Sequence, residues 1–139
     1  MPLKIIHQPS DTLMQTLDQK ITEFNVQHWE VKQKYPLAII VENEDGELQA
    51  GATAKTFGDW LLIENIWVSE SLRGQNLGSQ LLAKLEQQAI ERGCRHALLD
   101  TLNFQARAFY ERYGYTVQWT QEGYPRTGCK HFMTKTLTE

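Results

Sequence analysis

Between Trp60 and Leu82 the chain reads WLLIENIWVSESLRGQNLGSQLL. That is an apolar strand, a short polar loop rich in turn formers, and the first turns of an amphipathic helix. With a further strand at His96–Thr101, the segment makes a strand–helix–strand unit and commits the second half of the chain to a mixed sheet-and-helix arrangement. The junction also aims free backbone N–H groups and the positive end of a helix dipole at one spot, which suits a phosphate or diphosphate. Arg73 is the cation beside that spot, and Gly74 and Gly78 leave room for close backbone approach. An ordinary strand-to-helix turn with Arg73 as a solvated charge fits the same letters, so the rest of the chain has to weigh in.

The remaining pattern reads as follows. Leu3–His7 is expected to be an edge strand ended by Pro9, and Ser10 caps a helix with the apolar stripe Leu13, Met14, Leu17, Ile21 and Phe24. Leu37–Glu42 and Leu48–Thr56 read as strands around the turn Asn43–Gly46. Ala50, Gly51, Ala52 and Ala54 are small for a strand and imply a bulky neighbour. After the Gly58-Asp59 turn and the strand Trp60–Val68, the helix from Leu77 to about Arg92 buries Leu77, Leu81, Leu82, Leu85 and Ala89, and Gly93 stops it. A helix opened by Asn103 as N-cap and closed by Gly114 follows, then strands at Tyr115–Thr120 and Lys130–Leu137 around the loop Gln121–Gly128. The expected order is β-α-β-β-β-α-β-α-β-β, an α+β (mixed α/β) fold in one domain over residues 1–139, with no repeat and no dividing linker.

Composition narrows the partners. A formal charge of −3 over 139 residues argues against a nucleic-acid binder and leans toward cationic substrates. No apolar run approaches the roughly 20 residues that span a bilayer. The N-terminus lacks the features of a signal peptide, so a soluble cytoplasmic protein without membrane association is the expectation. Cys94 and Cys129 match no zinc spacing, and His7, His28, His96 and His131 form no metal pattern, so no metal is expected. Cys129 has no evident neighbouring base to make it reactive.

Two further signatures give the loop its weight. Arg73, Asn76 and Gly78 fall at the positions of an acyl-CoA signature, and Asn103, Ala106 and Tyr110, followed by Gly114-Tyr115, fall at those of a second one about thirty residues on. On these residues and the element order, nearly the whole chain resembles the GNAT superfamily of N-acetyltransferases, with a central, mostly antiparallel twisted sheet flanked by helices. Asn76 departs from the pattern, standing where the family usually has its first glycine. Asn is the non-glycine residue most tolerant of positive φ.

The resemblance implies acetyl-CoA as donor and an amine, on a small molecule or a protein, as acceptor; a homodimer is the family-based expectation. It implies that the backbone of Gln75, Asn76, Leu77, Gly78 and Ser79 cradles the diphosphate, with Arg73 nearby and Gly74 among the cofactor-binding residues. The strand amides of Ile66, Trp67 and Val68 would pair with pantetheine and polarise the thioester carbonyl. Tyr110 would protonate the departing sulfur, unless it is simply part of the aromatic stripe with Phe109 and Tyr113. Glu64 interrupts an apolar strand and is the candidate base, directly or through water; strand alternation pointing it to solvent is the competing reading. Asn103 would reach the coenzyme arm, or serve only as an N-cap. Trp29, Tyr35, Trp60 and Trp67 suit an acceptor pocket or plain packing, and the loop Gly123–Gly128 suits an acceptor entrance or a bare surface turn. A coenzyme-A-binding or regulatory module without transfer activity is the alternative to an enzyme, and a protein-interaction domain a third class.

Overall fold

The computed structural model describes residues 1–139, which fall into two compact units, Met1–Gln33 and Lys34–Glu139. The first unit holds helix α1, Asp11–Val26. Ser10 caps it as its sequence suggests, its hydroxyl oxygen accepting from the Leu13 N–H at 3.1 Å. Residues 3–7 are not a strand, which corrects the sequence expectation. A run of five with apolar residues has strand propensity, but a strand exists only where a second chain segment completes its ladder, and here none does.

The second unit is built on six strands: β1 (Tyr35–Glu42), β2 (Leu48–Phe57), β3 (Trp60–Val68), β4 (His96–Leu102), β5 (Thr116–Glu122) and β6 (Cys129–Thr136). Helix α2 (Leu77–Glu91) joins β3 to β4, and the short helix α3 (Arg107–Arg112) joins β4 to β5. The sheet order is β1-β2-β3-β4-β6-β5, antiparallel everywhere except between β3 and β4. The β1–β2 turn forms as its letters imply: Asn43 Oδ1 accepts from the Asp45 and Glu47 amides, and Gly46 takes φ 80.

The small residues of β2 find their bulky neighbour in α2. Ala50, Ala52 and Ala54 are buried together with Leu81, Leu82, Leu85 and Ala89 of the helix, and Leu61, Ile63, Cys94, Ala97, Leu99, Tyr115 and Met133 complete this core. Each buried leucine contributes about 1.5–3 kcal/mol, so the alanines matter by letting that leucine row reach the sheet. Both helices end in the same device. Gly93 (φ 93) and Gly114 (φ 95) follow the last turns, the Cys94 amide bonds to the Ala89 carbonyl, and the Tyr115 amide bonds to the Tyr110 carbonyl.

One irregularity positions everything that follows. The parallel ladder between β3 and β4 covers only Trp60–Leu62 against His96–Leu98, although both strands run on, to Val68 and Leu102. Against β2, Thr53 pairs with Asn65 while Ala54 pairs with Ile63, so Glu64 is the extra residue of a bulge. A bulge bends its strand and sharpens its twist. β3 therefore leaves β4 where the bulge begins, and a gap opens between them.

Candidate active site

Two neighbouring hollows lie in and beside that gap. One of about 530 Å³ lies at the start of α2 and against α3. The other, about 890 Å³, lies between the parted strands. Ile66, Val68, Arg73, Ala106 and Tyr110 line both and form their shared wall.

The smaller hollow has the character of an anion cradle. Asn76 adopts φ 63 and ψ 20, the left-handed conformation that the turn requires, so its departure from glycine leaves the turn intact. Its side chain does not cap α2, and Gln80 is the first amide to reach back to the Asn76 carbonyl. The amides of Leu77, Gly78 and Ser79 are thus left to a ligand by helix geometry alone. Gly74 needs its φ of 86, whereas a Cβ on Gly78 would meet the Phe109 ring at 3.5 Å, across the groove floor. Gln75 lines neither hollow. Arg73 is less mobile than a surface charge, since its Nε donates to the Val68 carbonyl at 3.2 Å. Arg112, which sequence reasoning passed over, adds a second guanidinium on the α3 side. Its position in the last turn of a short helix was the available signal.

Tyr110 stands at the shared wall, its hydroxyl free of any protein hydrogen bond. Burial, and then the nearby Asp100 carboxylate, push its phenol above the ordinary value. The ring also packs edge-on against Phe109 and Tyr115, so the packing role and the exposed hydroxyl coexist.

Glu64 lines the larger hollow. Its carboxylate pairs with Lys55 at 3.2 Å, both side chains being some two-fifths exposed or more, so the pair is a weak, screened one. Trp67 lines that hollow alone, while Ile66 and Val68 serve both. Asp100, Phe104, Tyr124 and Lys130 are among the other lining residues, and of these only the loop carrying Tyr124 was singled out from sequence.

The N-cap expectation for Asn103 needs correcting. Asn103 is neither the N-cap of α3, which is Ala106, nor a lining residue of either hollow. Its Oδ1 instead accepts the Cys129 amide at 3.1 Å, where Gly128 leaves space for it: a Cβ there would lie 2.6 Å from that oxygen. Cys129 does have a base beside it, since its sulfur lies 3.6 Å from His131 Nε2 while Thr120 holds Nδ1 at 2.9 Å.

Comparison with known proteins now bears on this arrangement. The model of the acetyltransferase (GNAT) family matches residues 7–115. The chain belongs to the GNAT acetyltransferase family. It is 35% identical over 96 residues to the acetyltransferase Atu2258 of Agrobacterium fabrum, covering 69% of this chain and 70% of that one. With the blasticidin-S acetyltransferase of Streptomyces morookaense it shares 37% over 95 residues, 68% and 70% of the two chains. The crystal structure of an acetyltransferase from Bacillus cereus superimposes with a TM-score of 0.84 at 32% identity, over 96% of this chain and 97% of the other. This GNAT chain is an acetyltransferase, and its mixed α+β fold is that of its relatives.

Proposed function

We propose that this acetyltransferase takes acetyl-CoA as donor and transfers the acetyl group to a primary amine by direct attack. The diphosphate would rest on the Leu77, Gly78 and Ser79 amides between Arg73 and Arg112, and the pantetheine arm would run along the unpaired edge of Ile66–Val68. A neutral amine in the strand gap attacks the carbonyl; the new C–N bond forms as the C–S bond breaks. Tyr110 gives its proton to the departing sulfur, and the surplus proton on nitrogen passes through water to Glu64, after which solvent reprotonates Tyr110. Holding donor and acceptor in adjoining hollows supplies the orientation on which such two-substrate transfers depend. One relative is named a blasticidin-S acetyltransferase, which supports an acceptor other than water.

The observation that carries this reading is the place of Tyr110: one hydroxyl, kept protonated, on the wall common to both hollows. The test pairs acetyl-CoA calorimetry with thiol release over an amine panel. Tyr110→Phe should keep the affinity for acetyl-CoA and lower kcat by about a hundredfold or more. An unchanged kcat would remove Tyr110 from the chemistry.

A further inference from the structure

The strand gap holds a carboxylate that the transfer scheme leaves idle. Asp100 is exposed on β4, lines the larger hollow, and has no hydrogen-bonded or ion-paired partner in the protein. The other charges facing that hollow each have one contact within the protein. Glu64 on β3 pairs with Lys55, Arg73 in the loop holds the Val68 carbonyl, and Lys130 on β6 sits 4.2 Å over the Tyr124 ring. Asp100 is thus the one charged side chain lining the hollow that has no partner in the protein, and after burial it is the second influence that raises the Tyr110 phenol. Two large rings, Trp67 (46% exposed) and Phe104 (76% exposed), line the same hollow without a ring partner. Exposed rings inside a concave site are a recognition surface for flat ligands.

We propose that Asp100 binds the acceptor as its ammonium, and that the hollow takes a primary ammonium carried on a flat ring, the cation on Asp100 and the ring against Trp67 and Phe104. This rests on the acetyl-transfer reading for its biological meaning, but the binding itself does not require turnover. It divides the labour of the two acids. Asp100 captures the cation, the ammonium loses its first proton to solvent to become the attacking amine, and Glu64 takes the second proton during attack. After burial, the same Asp100 carboxylate is the second influence that raises the Tyr110 phenol.

Calorimetry with tyramine and its deaminated analogue 4-ethylphenol tests the proposal directly. The parent protein should bind tyramine more tightly, and Asp100→Asn should weaken tyramine about tenfold or more while leaving 4-ethylphenol and acetyl-CoA unchanged. Asp100→Glu should restore part of the preference. Ultraviolet titration, with Tyr110→Phe as subtraction, should show the Tyr110 phenol ionising at lower pH in Asp100→Asn, a change no purely structural role would produce. Equal binding of tyramine and 4-ethylphenol by the parent, or an undiminished tyramine affinity in Asp100→Asn, would overturn the proposal. A parent that binds tyramine through Asp100 yet releases no thiol would uphold it and count against acetyl transfer instead.

Discussion

Asn76 shows how much a single residue can carry and how far its letter can be read. The turn before α2 needs a left-handed residue, and Asn supplies it at φ 63 where glycine would do so without strain. Asn76→Gly should therefore keep the fold and the acetyl-CoA affinity. Asn76→Val should lose about 1–2 kcal/mol in chemical denaturation and weaken acetyl-CoA in calorimetry, since a β-branched residue resists that conformation. Equal behaviour of the two variants would mean that the turn does not depend on this geometry. The neighbouring asparagine teaches the opposite lesson. Asn103 has the type and position of an N-cap, yet its side chain goes to the Cys129 amide, 26 residues away. Local letters cannot announce a partner that only the sheet brings near. Asp100 was missed for the same reason: as one polar residue in a short strand it has no local signal, and its meaning comes from the gap it faces.

At the scale of elements, the boundaries of α2 and of β2 to β4 were legible because their periodicities are strong, and both terminal glycines were read correctly. What the letters did not carry was the parting of β3 from β4, because the bulge at Glu64 shows only in the register with β2. The end of α3 is secured by more than its glycine. Tyr115, 1% exposed, donates its hydroxyl to Glu86 of α2 at 2.8 Å, and Lys135 of β6 bonds the other carboxylate oxygen at 2.8 Å. Tyr115→Phe leaves Glu86 short of one bond to a charged group and should cost about 1–3 kcal/mol in urea unfolding. Burial first, then Glu86, push the Tyr115 phenol far above its ordinary range. The unfolded chain would ionise near pH 10 while the folded one keeps its proton. The sign follows: stability from this group is complete below about pH 10 and declines as pH rises beyond it, by up to about 1.4 kcal/mol per pH unit. Denaturation between pH 8 and 11 should show that decline, and Tyr115→Phe should flatten it. An identical slope in the variant would locate the effect elsewhere.

For the whole molecule, sheet, bulge and helix start make one device. The alanines of β2 let α2 close on the sheet, and α2 places its uncapped amides beside the strand that the bulge turns outward. Two adjoining hollows with Tyr110 between them are the consequence. Donor binding at this site requires that those amides meet the diphosphate. Backbone ¹H–¹⁵N spectra recorded during titration with acetyl-CoA provide the most direct reading of that meeting. The largest shifts should fall on Leu77, Gly78 and Ser79, with a second group on Ile66 to Val68. Saturation with acetyl-CoA while those six amides stay still would contradict donor binding at this site.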